Sequence, residues 1–357
     1  MTFSAEPEIS VVVPVYKEEK AIAPFLDRLL PVLRRLGQYE VIFCLDPSPD
    51  RTEQVIAEFA GSDEGIGLLR FSRRFGQPAA TMAGILNCSG RTCAVIDVDL
   101  QDPPELLEEM FAKLNEGFDV VYAQRRSRAG ETWPKRIITR AGYKLINAIA
   151  DVQIPRNTGD FRLMSRRVVE ELRGLPESHG FLRGLVALVG FPQTAVLYDR
   201  DARSTGQGNY NPFLGSLKIA FNGIIGFSTK PLSAMMWTGL SIACLSFVLT
   251  IVMLYTKLVM QVDYPIGIPT LTILVLFLGG MQLAALGLIG EYIGRIYDEV
   301  RGRPLYIVQR ALNVDLRDSH GPGTGVSRKP KNIVEFRVSP TAPPVGEDNM
   351  SSRVGYE

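Results

Sequence analysis

The chain has 357 residues, with 39 Lys and Arg against 38 Asp and Glu, and a formal net charge of +1. This balance argues against a nucleic-acid-binding protein, which usually carries a basic excess, so no nucleic-acid partner is expected. Hydrophobic residues make up 46% of the chain, which excludes global disorder. Four cysteines without metal-type spacing and only two histidines argue against a zinc site or a disulfide framework.

The first 200 residues alternate apolar strand patterns with helical patterns. The predicted strands are Ile9–Val15, Glu40–Leu45, Gly67–Phe71, Thr92–Ile96 and Asp119–Ala123. The predicted helices are Ala21–Leu36, Arg51–Phe59, Pro78–Leu86 and Pro104–Glu116. This alternation predicts an α/β domain with a mostly parallel, Rossmann-like sheet and helices on both faces. Ligands bind such sheets at the carboxyl ends of the strands.

Two segments without charged residues follow this domain, Pro231–Thr256 and Pro265–Gly290. Each would be roughly 39 Å long as a helix, against a hydrocarbon core of about 30 Å. Two such segments favour membrane spans over buried core helices. The link Lys257–Tyr264 is too short to fold alone, so the spans are expected to form a transmembrane hairpin.

Charges beside the two segments predict their orientation. The flanking basic residues are Lys230, Arg295, Arg301 and Arg303, whereas the link holds one Lys and one Asp. The positive-inside rule then predicts a multi-pass protein of the plasma membrane, with the α/β domain and both termini in the cytoplasm. The polar, acidic start Met1–Ser10 does not have the pattern of a cleaved signal peptide.

The segment before the first span is predicted to lie in the lipid interface. Asn211 can cap a helix with Pro212 at its first position, and apolar residues then recur on one face up to Phe227. An ordinary core-facing helix is the alternative. The predicted organisation is a cytoplasmic domain at 1–210, an interfacial amphipathic helix at 211–230, spans at 231–256 and 265–290, a cytoplasmic segment at 291–320 and a flexible tail at 321–357.

The strongest chemical signal is the sequence AVIDVDLQDPPE at Ala94–Glu105. Alternate residues of a strand point the same way, so Asp97, Asp99 and Gln101 are expected to line one side of its carboxyl end. Oxygen ligands at this spacing suit Mg²⁺ or Mn²⁺, which would hold a nucleotide diphosphate. The alternative is a polar turn before the helix that begins near Pro104.

Three further segments contain candidate ligand-binding residues. Pro14 is expected to break the first strand, so that Tyr16 and Glu18 project over the edge of the sheet. In the sequence LDPSPDRT, Asp46 and Ser48 are placed to read a nucleoside, unless they only form a loop. The segment NTGDFRLMSRR at Asn157–Arg167 is predicted to be a polar loop before a helix near Val168–Leu175. Asp160 in this loop either forms a structural ion pair with Arg162 or belongs to the ligand-binding site.

A set of basic residues is the last candidate. A solvated charged face is its usual explanation, and contact with anionic head groups or a phosphate is the alternative. The members are Arg125, Arg126, Arg128, Lys135, Arg136, Arg140, Arg200 and Arg203.

The joint order of these motifs resembles that of a known family. The motifs are similar to those of family 2, GT-A type polyprenyl-phosphate glycosyltransferases. Within this family the bacterial GtrB-like subgroup, which is related to dolichol-phosphate mannose synthases, is the most similar. The motifs are PVYKEE, FSRRFG, DVDLQDPPE, GDFRLMSR and a GxxGFSTKPL segment before the two spans. The resemblance covers about residues 9–305. It implies transfer of a hexose from a nucleotide sugar to a polyprenyl phosphate, with inversion. UDP-glucose is favoured, while mannose and GDP stay open.

The resemblance also implies roles for single residues. Asp99 would ligate Mg²⁺ or Mn²⁺ with help from Gln101, and Asp97 would contact the nucleotide. Pro14, Tyr16, Glu18 and Asp46 would hold the nucleoside. Asp160 matches an acceptor-site Asp, and Arg203 a phosphate-binding Arg. The implied partners are a nucleotide sugar, a polyprenyl phosphate lipid, the membrane and further copies of the chain.

The chain departs from the family pattern at two places, and other functions stay open. Asp46-Pro47-Ser48 stands where Asp-Gly-Ser is common, and Asn209 and Asn222 stand where a Lys and an Asp are common. The competing functions are a non-catalytic, nucleotide-binding membrane scaffold and a subunit of a processive polysaccharide synthase. A Rossmann dehydrogenase is disfavoured because no GxGxxG follows the first strand.

Overall fold

The computed structural model describes residues 6–126, 158–175, 182–199, 230–261, 267–317 and 334–335. The strands are β1 (Ile9–Val15), β2 (Tyr39–Leu45), β3 (Ile66–Phe71), β4 (Thr92–Val95), β5 (Val120–Arg125), β6 (Thr158–Ser165), β7 (Gln193–Tyr198), β8 (Val308–Leu312) and β9 (Val334–Glu335). The helices are α1 (Ile22–Leu36), α2 (Thr52–Ser62), α3 (Gln77–Asn87), α4 (Leu106–Asn115), α5 (Arg166–Gly174), α6 (Leu182–Val189), α7 (Lys230–Leu258) and α8 (Ile268–Val300).

The described strands form one nine-stranded sheet in the order β7-β5-β6-β4-β1-β2-β3-β8-β9. β1 is parallel to both of its neighbours, β2 and β4, and β2 is parallel to β3. β6 is antiparallel to β4 and β5, and β8 is antiparallel to β3. The predicted α/β fold with a mixed, mostly parallel sheet is therefore confirmed.

Helices cover both faces of the sheet because each has one apolar stripe. On α1, Phe25, Leu26 and Leu29 recur at helical spacing and are fully buried with α2 and α4 on one face. The opposite face buries α3, α5 and α6. Helix α3 lies close to β1 because Gly84 has no side chain: a Cβ there would come within 2.2 Å of Val12.

The predicted polar loop at Asn157–Arg167 is wrong. Thr158–Ser165 is strand β6, which lies between β4 and β5, and the following helix begins at Arg166. Phe161 and Leu163 are buried in the core, as the apolar pattern of a strand requires. The prediction failed because the charged residues Asp160 and Arg162 are unusual in a buried strand. Inside the fold both side chains have polar or charged partners.

Two long helices follow the α/β domain, α7 with 29 residues and α8 with 33. Within the described residues, one helical segment, Phe277–Val300, is long and apolar enough to cross a membrane, with a mean hydropathy of 1.2. Both helices expose large apolar side chains, including Trp237, Phe247 and Leu283.

The chain returns to the α/β domain after α8. Strand β8 adds to the edge of the sheet beside β3, although it lies outside the 1–210 range predicted for this domain. Of the predicted flexible tail at 321–357, the structure describes the two residues of β9, which pair with β8.

Candidate active site

Four of the predicted segments meet at one edge of the sheet. The parallel strands β1, β2 and β4 end there, which brings together the loops that carry Tyr16, Asp46 and Asp97. Strand β6 runs the opposite way and begins at this edge. Because Val95 pairs with Arg162, Asp160 lies two residues beyond the end of β4, at the level of Asp97.

The loop after β1 is joined to the loop after β2. The backbone N–H of Lys17 donates to Ser48 Oγ (3.2 Å), and that of Glu18 donates to Thr52 Oγ1 (3.0 Å). The prediction that Pro14 breaks β1 is wrong, because β1 continues to Val15. The ring nitrogen of Pro14 faces the side of β4, whose pairing with β1 has already ended, so the missing N–H costs no hydrogen bond there.

Asp46 fixes the loop that follows β3. This carboxylate is buried, and its two oxygens accept the backbone N–H groups of Phe75 and Gly76, both at 2.8 Å. Gly76 has a φ of 90°, in the left-handed region that favours glycine. The loop is thereby held against β1, where the Arg74 guanidinium lies 4.1 Å from the centre of the Tyr16 ring.

The acidic motif follows its strand instead of lying within it. Strand β4 ends at Val95, so strand alternation does not govern Asp97 and Asp99, contrary to the prediction. Both carboxylates are nevertheless half-buried, because the side chain between them, Val98, packs into the core. Gln77 Nε2 donates to Asp97 Oδ1 (2.9 Å), a contact that the sequence analysis missed.

Asp99 and Gln101 together offer oxygen ligands of the kind that Mg²⁺ and Mn²⁺ prefer. Both are half-buried, and Asp99 Oδ1 accepts the backbone N–H of Gln101 (3.1 Å), which keeps the two residues in one turn. In the described part of the chain, no group of three or more His, Cys, Asp or Glu could hold a metal ion by itself. This donor set fits a cation that takes most of its ligands from phosphate and water.

Asp160 pairs with an arginine that the sequence analysis did not single out. Its Oδ1 accepts a hydrogen bond from Arg183 Nε at 2.9 Å, from helix α6. Burial raises the pKa of Asp160, but the charges of Arg183 and Arg162 outweigh burial, so the net pKa lies below its usual value. Burial also lowers the pKa of Arg162 to about 10, which leaves it charged at neutral pH.

The predicted Asp160–Arg162 side-chain pair is replaced by a different arrangement. The guanidinium of Arg162 is buried and donates to the backbone carbonyl oxygens of Asp160 (3.3 Å) and Gly159 (3.2 Å). A buried guanidinium needs such partners, because an unpaired buried charge is costly. Arg183 therefore provides the direct partner of the carboxylate, and Arg162 acts through its charge.

A second buried network joins the ends of β5 and β7 to the acidic motif. The Tyr198 hydroxyl donates to Asp102, and it accepts a hydrogen bond from Arg125 Nε (3.1 Å). Arg125 Nη2 also lies 3.7 Å from Asp102 Oδ1. Burial and the bond to Asp102 raise the pKa of Tyr198 to about 12, so this hydroxyl stays protonated. Arg125 thus belongs to the site and not to a solvated face.

Several predicted residues lie outside the described residues. They are Arg203, Asn209, Asn222, the interfacial helix at 211–230 and the basic residues Arg128, Lys135, Arg136, Arg140 and Arg200.

Comparison with known proteins assigns the family. The family model for glycosyl transferase family 2 matches residues 10–173. The chain is also 44% identical over 302 residues to an uncharacterized glycosyltransferase of Synechocystis sp., a match that covers 84% of this chain and 94% of that protein. The chain belongs to glycosyl transferase family 2.

Two further proteins are similar to the chain. A prophage-derived bactoprenol glucosyl transferase of Shigella flexneri is 41% identical over 307 residues, which cover 85% of this chain and 98% of that protein. A structure of glucosyl-3-phosphoglycerate synthase from Mycobacterium tuberculosis, in complex with Mn²⁺, UDP-glucose and phosphoglyceric acid, is 21% identical with a TM-score of 0.45, over 62% of this chain and 78% of that one.

The family 2 match takes in most of the site but not all of it. Residues 10–173 contain Tyr16, Asp46, the acidic motif and Asp160. Arg183 and Tyr198 lie beyond this range and complete the two buried networks from α6 and β7.

Proposed function

We propose that this family 2 glycosyltransferase transfers glucose from UDP-glucose to a polyprenyl phosphate at the cytoplasmic face of the plasma membrane, with inversion at the anomeric carbon. The observation that carries the proposal is the 41% identity to a bactoprenol glucosyl transferase over 98% of that protein, which extends through the long helices as well as the α/β domain. The arrangement of charge at the sheet edge supports it.

The nucleotide sugar is proposed to bind over the ends of β1, β2 and β4. Pro14, Tyr16, Glu18 and Asp46 form the nucleoside side, and Asp97 faces the nucleotide from β4. The interlocked loops support this assignment, because a pocket held by backbone hydrogen bonds needs little reorganisation when the ligand binds.

Asp99 and Gln101 are proposed to hold a divalent cation together with the nucleotide. When bound, Mg²⁺ or Mn²⁺ would supply positive charge to the leaving diphosphate. The backbone N–H of Gln101 fixes the Asp99 carboxylate in its turn, so its oxygens are already oriented when the ligand arrives.

The acceptor phosphate is proposed to bind beside Asp160 and Arg203. A phosphate monoester with a second pKa near 6 is largely dianionic at neutral pH, so it can attack without a general base. Asp160 suits a positioning role, because its pKa is lowered and Arg183 holds its carboxylate. Arg125, Arg162 and Arg183 surround this carboxylate with excess positive charge, which favours an anionic acceptor. One direct displacement then inverts the sugar.

The membrane anchor is proposed to be a hairpin of α7 and α8. Because β8 rejoins the sheet after α8, the chain between β7 and β8 must cross the membrane an even number of times. The exposed apolar side chains on both helices support two crossings, and the flanking basic residues support a cytoplasmic domain with cytoplasmic termini. Further copies of the chain remain the expected oligomeric partners.

Radiolabel transfer tests the proposal. Membranes that contain the protein are incubated with labelled UDP-glucose, and with UDP- and GDP-linked sugars as competitors. The expected product is an organic-extractable, acid-labile glucolipid, which an Asp99→Asn variant should not form. Insoluble polymer would instead identify a polysaccharide synthase, and absence of any labelled product would favour a non-catalytic scaffold.

A further inference from the structure

The residues after α8 are built into the α/β domain. We call residues 301–317 the return segment. Its strand β8 pairs with β3, and its side chains Val308, Ala311 and Leu312 are buried. Val314 packs so closely on β3 that a Cβ at Gly67 would come within 2.4 Å of it. Burial of this kind makes the return segment a structural part of the domain, unlike a mobile tail.

The return segment directly touches the loop of residues 72–76 that follows β3, which we call the donor-side loop. The backbone N–H of Ser72, at the start of that loop, donates to the Ile307 carbonyl (3.0 Å). The Phe71 ring packs against the rings of Tyr306 and Phe75, with centres 5.9 and 6.1 Å away. Phe75 is one of the two residues whose N–H groups Asp46 holds, so the segment and the nucleoside side of the site share one packed unit.

The segment is also fastened at the far end of α3. The Asn87 side-chain amide donates to the Tyr306 hydroxyl (2.9 Å), and its oxygen accepts the backbone N–H of Arg317 (3.1 Å). Asn87 is the last residue of α3, the helix that begins directly after the donor-side loop. The return segment therefore holds the loop and its helix at both ends.

Only a short connection separates this unit from the candidate membrane span. Seven residues, 301–307, join Val300 at the end of α8 to Val308 at the start of β8. Fully extended, they reach about 25 Å at most. The end of α8 carries exposed Arg301, whose guanidinium lies 4.8 Å from the centre of the Tyr297 ring, and this combination suits the boundary between lipid and water.

We propose that the return segment is a spacer that fixes the height of the donor site above the membrane, so that the sugar meets the head group of a membrane-embedded acceptor. This inference rests on the proposed function. A site that must join a ligand bound in the cytoplasm to a phosphate at the lipid surface needs a set distance, because a small misplacement of reacting groups lowers the rate strongly.

The test lengthens the connection in the full-length protein. Insertion of Gly-Ser between Gly302 and Arg303 adds up to about 7 Å of reach. The matched control carries the same insertion after Gly323, beyond the return segment. Each protein is assayed with two acceptors: a long-chain polyprenyl phosphate in proteoliposomes and a short-chain, water-soluble one. The spacer predicts that the first insertion lowers transfer to the long-chain acceptor by about tenfold or more, with transfer to the soluble acceptor and the melting temperature unchanged.

A second measurement does not depend on transfer activity. A dye on Glu64→Cys, an exposed position, in a Cys244→Ser background reports energy transfer to dyes on lipid head groups, which the insertion should weaken. Unchanged energy transfer, unchanged glucose transfer to both acceptors, or an equal loss with both acceptors would overturn the spacer. Wild-type protein that glucosylates neither acceptor would refute the proposed function. The energy-transfer measurement would still show whether the return segment sets the distance between the domain and the membrane.

Discussion

The proposed donor side, around Asp46 and Asp97, and the proposed acceptor side, around Asp160, differ in the groups that contact their carboxylates. On the donor side, Asp46 and Asp97 accept hydrogen bonds from neutral groups, namely backbone N–H groups and the Gln77 amide. On the acceptor side, Asp160 and Asp102 contact guanidinium groups, those of Arg183 and Arg125. Two regions built on one sheet edge thus differ in the hydrogen-bond partners of their carboxylates.

This difference indicates which ligand each side can bind without an added cation. In the proposed function a diphosphate meets Asp97 and Asp99 on the donor side, where a bound cation would compensate the repulsion between negative charges. The proposed acceptor side carries more guanidinium groups than carboxylates, which favours a phosphate as its ligand. This contrast predicts that removal of the metal weakens binding of the nucleotide sugar more than binding of the acceptor phosphate.

The largest effect is expected for Asp99→Asn. Asparagine retains the oxygen that accepts the Gln101 N–H, so the turn should survive, while the charge that faces the cation is lost. Turnover should fall by about 10²- to 10³-fold, because the lost charge acts on the leaving diphosphate. Turnover and melting temperature are measured with and without Mn²⁺ and nucleotide. Near-normal turnover, or a variant that unfolds, would make Asp99 structural.

Arg203→Ala is expected to act on the acceptor side alone. Loss of a charged hydrogen bond to phosphate costs roughly 1.5–3 kcal/mol, or about 10- to 150-fold. The KM for polyprenyl phosphate should rise or kcat should fall, while UDP-glucose affinity measured by calorimetry stays the same. A loss of nucleotide affinity with unchanged acceptor dependence would move Arg203 to the donor side.

Tyr198→Phe should weaken the buried network around Asp102, the residue that follows Gln101. Removal of the hydroxyl takes one hydrogen-bond donor from buried Asp102 and one acceptor from Arg125, at a cost of about 1–3 kcal/mol. The expected result is a lower melting temperature and a lower turnover. Tyr122→Phe, on neighbouring β5, is the control, since no side-chain hydrogen bond of Tyr122 is found within the described residues. Equal losses in both variants would contradict a role for the network.

The smallest effect concerns the acid dependence of Asp160. Its folded pKa lies below the unfolded value of about 3.9, so its contribution to stability is full above that pH and is lost as the pH falls through the folded pKa. Asp160→Asn should therefore melt below the wild type at pH 7, and the difference should shrink as the pH falls below about 4. Melting curves across this range test it, with exposed Asp27→Asn as the control. A constant difference would show that Arg183 does not hold an ionised Asp160.

The sequence placed the segments after β1, β2 and β4 at one edge of the sheet because their signals are local. Asp46 and Asp97 each follow a strand pattern, and ligands bind at the carboxyl ends of parallel strands, so these two facts were enough to predict a site there. The acceptor-side networks escaped because their partners are distant in sequence: Asp160 and Arg183 are 23 residues apart, and Asp102 and Tyr198 are 96 apart. A charged residue in a short segment is predicted to be solvent-exposed unless its partner is known.

By itself the sequence determined the α/β alternation, the acidic motif and the apolar character of the C-terminal half, because hydrophobic periodicity and residue chemistry are properties of short stretches. Only the tertiary structure decided that Thr158–Ser165 is a buried strand, that Arg125 belongs to the site, and that the chain returns after α8 to add β8 to the sheet. The reason is physical: a strand is stabilised by the neighbour it pairs with, and a buried charge by its counter-charge, and neither partner is adjacent in the sequence.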